Sequence, residues 1–282
     1  MLLRISSLFF LLAFTCYANA ESIEDISIIK NHCNKISRKL ASVGYKECLS
    51  YNFEISEGHS VKGAPILVRK FTSGTDEKTH KRILLIGGIH GNEYSSVSVV
   101  FKWIALLDQY YTGTHQWQIV PLLNPDGLLQ KTSKKLNANA VDLDRNFPVS
   151  SGHEQASKYW EEEMHWNTEY FPGKQALSEP ESQWLVEEIE RYRPDAIITV
   201  HAPNSSLAYK LSNDNPAKLG AQYQKSIAVL PGSFNQYVGS EMKIPILTVE
   251  LPYADVMPAK SEINEIWRSL IKWLNEHLIL SR

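Results

Sequence analysis

Cysteine is scarce in this 282-residue chain, with only Cys16, Cys33 and Cys48 present. No histidine or third cysteine stands at zinc-site spacing from Cys33 or Cys48, so a thiolate zinc site is excluded there. An excess of charge of one sign is also missing. Twenty-nine basic against thirty-one acidic residues leave a net charge of −2, which gives a nucleic-acid partner no electrostatic footing. The doublet Lys134-Lys135 reads first as a solvated loop. Past the first twenty residues no segment approaches eighteen consecutive apolar residues, so the mature chain is expected to have no membrane span. Repeats, low-complexity tracts and linkers are absent as well, which points to one domain. What is present is an ordinary globular composition, 43% hydrophobic and 21% charged. The length is sufficient to bury a substantial core without metals or disulfides to hold it up.

Residues 1–20 read as an address. One positive charge, Arg4, precedes an apolar stretch over residues 5–14, and the segment ends Ala18-Asn19-Ala20 before Glu21. That is the pattern of a secretory signal peptide, and it predicts a catalytic domain over residues 21–282 that is periplasmic or secreted. Cys16 invites a lipid anchor, but the bulky Phe14-Thr15 before it matches that signal poorly. Removal of the signal leaves Cys33 and Cys48, fifteen positions apart. In an oxidising compartment such a pair favours a disulfide, the alternative being two buried thiols.

Periodicity predicts an α/β fold. Residues 23–43 show helical spacing stopped by Gly44, and residues 48–55 alternate like a strand. Residues 65–71, 83–86, 116–123, 196–200 and 245–250 also read as strands. Asn124-Pro125-Asp126-Gly127 is a strong turn signal. Residues 95–107, 179–191 and 261–278 read as helices, the second with Ser178 as N-cap and Pro180 in its first turn. Residues 150–173, rich in Trp, Tyr, His and Glu, look like an irregular surface excursion that could cover a site. Strands alternating with helices imply a sheet covered on both faces, with chemistry gathered at strand ends.

The residues able to do chemistry sit at such ends. His90 and Glu93, in Gly87-Gly88-Ile89-His90-Gly91-Asn92-Glu93, can converge on one cation, and imidazole and carboxylate both suit zinc. A surface His–Glu pair is the plainer alternative. His201 directly follows an apolar strand and supplies a third ligand. Two histidines and a glutamate leave one zinc position open for water, the mark of a hydrolytic site. Glu250 ends another apolar strand, where a carboxylate is costly unless paired or working. It is either the general base or a loop cap. Arg145 could hold a substrate carboxylate through two parallel hydrogen bonds, or pair with Asp142 or Asp144.

Taken together, these blocks resemble the zinc carboxypeptidase family of the carboxypeptidase A type. The order is HxxE, an Asn-Pro-Asp-Gly turn, Val141-Asp142-Leu143-Asp144-Arg145-Asn146-Phe147-Pro148, a histidine after a strand and a glutamate after a strand. The resemblance spans roughly residues 60–253. Within the family the chain looks most like the bacterial murein peptide amidases, through residues 60–66, 173–181 and 244–252. The resemblance implies a three-layer α/β/α fold with a mixed, roughly eight-stranded central sheet. It implies one Zn2+ ion held by His90, Glu93 and His201, with Glu250 as base and then acid. Asp142 would orient the first zinc histidine, and Arg145 would bind the substrate carboxylate. The implied activity is cleavage of murein peptides, at the bond between γ-D-Glu and meso-diaminopimelate. The alternatives are a carboxypeptidase acting on ordinary peptides or muropeptides, and a wall-binding protein without turnover.

The chain departs from the family in three places. Lys135 stands where an arginine usually polarises the scissile carbonyl, which keeps the charge and loses the fork. Asp144 replaces an asparagine that helps hold the carboxylate, so it either meets an ammonium group or turns to Arg145. Ala64 and Ala140 replace an arginine and a glycine. For the family's substrate-capping tyrosine, Tyr209 and Tyr237 are the candidates, and either could equally be core packing. The composition shows no obligate interface, and the oligomeric state stays open.

Overall fold

A computed structural model describes residues 9–72, 80–202, 218–219, 222–223 and 230–279. Helix α1 covers Phe9–Lys39 and α2 covers Tyr45–Ser50. Strands β1 (Glu54–His59), β2 (Pro65–Phe71) and β3 (Lys81–Ile86) follow, then α3 (Tyr94–Tyr110) and β4 (His115–Val120). After these come α4 (Pro125–Leu129), α5 (His153–Glu162), α6 (Pro180–Tyr192) and β5 (Ala196–His201). The two-residue strands β6 (Lys218–Leu219) and β7 (Gln222–Tyr223) pair with each other. Strand β8 (Ile246–Glu250) and α7 (Lys260–Ile279) close the fold.

The central sheet runs β1-β2-β4-β3-β5-β8. Its first two pairings are antiparallel and the rest are parallel. It is mixed, as expected, but holds six strands among the described residues rather than roughly eight. The period of two in each strand sorts side chains onto two cores. Leu67, Ile83, Leu85, Ile198 and Val200 face one core, with Ile36 of α1, Val100 of α3 and Ile266 of α7. Ile66, Leu84, Ile86 and Ile197 face the other, with Leu185 and Ile189 of α6. The result is three layers, α/β/α.

Cys33 and Cys48 form a disulfide that ties α1 to α2. This corrects the expected strand over residues 48–55, because Cys48 is helical and the strand begins at Glu54. The helical turn forms because Gly44 and Glu47 cap it, the Glu47 carboxylate accepting from the Gly44 N–H at 3.1 Å. The N-cap of α6 is Glu179, not Ser178, whose hydroxyl donates to the Glu179 carboxylate instead. Residues 150–173 are less irregular than expected, since α5 forms within them. Among the described residues no helix is long and apolar enough to cross a membrane. Of the expected signal segment, residues 1–8 lie outside the described residues.

Candidate metal centre and active site

The parallel strands β3, β5 and β8 end on one edge of the sheet, and the polar residues of interest gather there. His201 is the last residue of β5 and pairs in register with Glu250, the last of β8. The Leu251 N–H donates to the His201 carbonyl at 2.7 Å and continues that alignment past the strand ends. His90 and Glu93 come from the loop between β3 and α3. Gly91 in this loop lies so close to the next loop that a Cβ would stand 2.3 Å from the Gly127 carbonyl carbon. The Asn124 side chain fixes the junction, donating to the Ile89 and Lys135 carbonyls and accepting from the Gly127 N–H. The Asn-Pro-Asp-Gly segment is therefore the capped start of α4 and a clamp on the site, rather than a bare turn.

His90, Glu93 and His201 offer ligand atoms that all lie within 4.8 Å of one another. All three are buried, with His90 at 8% and Glu93 at 5% exposure, so they are not a surface pair. His90 Nδ1 lies 2.9 Å from Glu93 Oε1, and His90 Nε2 lies 3.0 Å from Asp142 Oδ1. Burial by itself would lower the His90 pKa. The Glu93 and Asp142 carboxylates outweigh both burial and the Lys135 ammonium, and hold it up at about 10. His201 is also raised against burial, by Glu93 and then by Asp144. Burial opposes charge on Glu93 and Asp142, yet neighbouring cations hold both well below the usual carboxylate range.

This is a pocket that stabilises positive charge. Glu93 Oε2 is buried and makes no hydrogen bond to a described residue, with His201 Nδ1 3.5 Å away, and an oxygen so placed gains from a cation set between the two. Two imidazoles and a carboxylate suit zinc and leave a position for water. The donor set fits one zinc ion.

The remaining site residues line the same place. Asp142 is fully buried, caps the 3-10 turn Leu143–Arg145, and accepts from Lys135 Nζ at 2.6 Å. Lys135 is therefore not the solvated lysine its doublet suggested. Arg145 makes no ion pair with Asp142 or Asp144. Among the described residues neither its guanidinium nor the Asp144 carboxylate has an ion-pair partner. Tyr237 packs in the core against Phe147, in line with the core-packing alternative. Tyr209 lies outside the described residues. The sequence did not mark Asn124 as a clamp or Tyr170 as a neighbour of the site. For Tyr170 the signal was the aromatic-rich segment before Gly173.

A mixed three-layer sheet with a His–Glu–His metal pocket at the ends of its parallel strands defines a zinc metallopeptidase. The zinc carboxypeptidase family model matches residues 52–225, and the chain belongs to that family. It is 25% identical to murein peptide amidase A of Escherichia coli (strain K12) over 228 residues, which is 77% of this chain and 88% of that one. It is 29% identical over 204 residues to the protein of the same name from Vibrio campbellii, covering 70% of this chain and 78% of that one. In fold it is similar to carboxypeptidase A from Helicoverpa armigera, with a TM-score of 0.60 at 17% identity, covering 82% of this chain and 70% of that one. It is also similar to the murein-tripeptide amidase from Escherichia coli O157, with a TM-score of 0.50 at 24% identity, covering 78% and 90%.

Proposed function

We propose that this chain is an exported zinc metallopeptidase that cleaves murein peptides, with the bond between γ-D-Glu and meso-diaminopimelate preferred. The observation that carries the substrate assignment is that Arg145 and Asp144 act electrostatically on the buried Asp142 and His201 while neither has an ion-pair partner among the described residues. One cation and one anion, each without an ion-pair partner among the described residues, suit a released residue that brings both charges. Diaminopimelate has a carboxylate for Arg145 and an ammonium for Asp144. Two relatives named murein peptide amidase A agree with this reading.

The roles follow from the chemistry of each group. His90, Glu93 and His201 hold one zinc ion, and Asp142 fixes the orientation of the His90 ring. Zinc, when bound, supplies Lewis-acid polarisation and makes water acidic enough to react near neutral pH. Glu250 takes the proton from the attacking water and passes it to the leaving amine as the carbon–nitrogen bond breaks. Lys135 places positive charge where the carbonyl oxygen becomes negative. Arg145 and Asp144 anchor the leaving residue. Residues 1–20 serve as the export signal and residues 21–282 as one catalytic domain. The Cys33–Cys48 disulfide fits an oxidising compartment outside the cytoplasm.

Asp144, without an ion-pair partner among the described residues, also favours a second reading, a carboxypeptidase that prefers basic C-terminal residues. Asp144→Asn tests the assignment. Wild type should prefer a peptide ending in meso-diaminopimelate over the same peptide ending in leucine, and the variant should lose at least about tenfold of that preference in kcat/KM. An unchanged preference would remove Asp144 from substrate recognition.

A further inference from the structure

Lysine at position 135 brings a point charge on a flexible stem where the resemblance leads one to expect a rigid fork. The surroundings restrict it. Lys135 Nζ donates to Asp142 Oδ2 at 2.6 Å and to the Glu169 backbone carbonyl at 2.7 Å. A third side is closed by the ring of Tyr170, whose centroid is 4.1 Å from Nζ. The guanidinium carbon of Arg145 lies 5.8 Å from the centroid of the same ring. One aromatic face therefore serves both cations of the site.

We infer that Tyr170 is a positioning residue for the reaction, holding the Lys135 ammonium and the Arg145 guanidinium in fixed places beside the metal pocket. The inference rests on the functional reading above. Two cations brought near each other repel, and the negative face of an aromatic ring offsets part of that cost. With two N–H groups spent and the ring on a third side, the ammonium is confined to one orientation. At most one N–H is left free, so the ion acts on the site chiefly through a charge fixed in place.

Tyr170 is itself anchored. It ends the 3-10 turn Thr168–Tyr170, whose Asn167 cap accepts from the Trp160 indole N–H at 2.7 Å through its carbonyl. Trp160 packs on Phe171 at 4.9 Å between centroids, and on Trp166 at 4.8 Å. The Phe171 carbonyl accepts from the Asp142 N–H at 2.9 Å. The ring thus stands on a braced segment joined directly to the residue that contacts His90. Its hydroxyl has no hydrogen bond to a described residue, so the aromatic face is the working part.

The test combines kinetics with a readout that needs no turnover. In zinc-loaded protein, Tyr170→Leu should lower kcat about tenfold and raise KM about threefold. Tyr170→Phe should stay within about threefold of wild type in both. In a Lys135→Met background, Tyr170→Leu should change kcat by less than about threefold, because the two residues act as a unit. In protein carrying isotope-labelled lysine, the Lys135 ε-methylene protons should be shifted upfield by the ring in wild type and Tyr170→Phe, and return to the ordinary position in Tyr170→Leu. A methylene unshifted in wild type, or a full tenfold loss in the Lys135→Met background, would overturn the inference. A shifted methylene in a wild type that hydrolyses no peptide would count against the functional reading and leave the ring–lysine contact standing.

Discussion

His90 is gripped from both ring nitrogens, with Nδ1 2.9 Å from Glu93 Oε1 and Nε2 3.0 Å from Asp142 Oδ1. Only Nδ1 faces another member of the donor set. Asp142 therefore fixes the ring's orientation and tautomer, and keeps Nδ1 available to the ion. Asp142→Asn should weaken zinc binding by about 10- to 100-fold, read by competition with a coloured chelator. Zinc affinity within twofold of wild type would show that Asp142 serves the Lys135 ammonium and the Asp144 N–H rather than the His90 ring.

The loop carrying His90 and Glu93 depends on glycine at position 91. A methyl group there would meet the Gly127 backbone at 2.3 Å, and backbone atoms cannot swing aside as a flexible side chain can. Gly91→Ala should lower the melting temperature by several degrees and weaken zinc binding together. Thermal unfolding with and without zinc checks this, and a variant with wild-type stability and zinc affinity would contradict the contact.

A pH effect on stability is expected from Glu181. Burial pushes its carboxyl up to about 7, although the N–H groups of Glu181 and Val61 and the Asn137 amide act against that rise. The folded state then binds this proton more tightly than the unfolded chain, whose glutamates titrate near about 4.3. Stability from this group is full at low pH and is lost as pH rises through about 7. The difference in unfolding free energy between wild type and Glu181→Gln should change by up to about 3 kcal/mol between pH 4 and pH 8. Denaturant titrations across that range provide the measurement, and a difference independent of pH would place the Glu181 pKa near its ordinary value.

The Cys33–Cys48 bridge closes a loop with a sequence separation of 15. A loop of that size contributes about 3 kcal/mol in the chain-entropy model. For a domain of this size that corresponds to roughly 6–12 °C in melting temperature. Comparison of oxidised protein with a Cys33→Ser, Cys48→Ser variant tests this, and coincident melting curves would show that the bridge is stabilising nothing.

Much of this fold is legible from apolar runs alone. Residues 65–71 read as a strand and form one, and residues 83–86 are the buried end of β3. Local signals fail where tertiary partners decide. Cys48 sits in a six-residue helix held by the Gly44–Glu47 cap and the disulfide, neither of which shows in the alternation of residues 48–55. The candidate site was readable because His90 and Glu93 are close in sequence, while His201 and Glu250 each end an apolar strand. Tyr170 was not readable as part of the site. The neighbouring Glu169 carbonyl meets Lys135 across 34 positions of chain, and only the folded segment brings them together. Arg145 and Asp144 could have paired with each other on sequence grounds, and the 3-10 turn capped by Asp142 leaves both without an ion-pair partner among the described residues.

The central claim is tested most directly by mass spectrometry of the products of the zinc-loaded protein. The substrates are L-Ala-γ-D-Glu-meso-diaminopimelate and an L-peptide with a free C-terminus, with Glu250→Gln as the control. The account predicts free diaminopimelate from the first substrate, little cleavage of the second, and at least a hundredfold loss in the control with zinc still bound. Cleavage of the L-peptide alone, or turnover that survives Glu250→Gln, would contradict it.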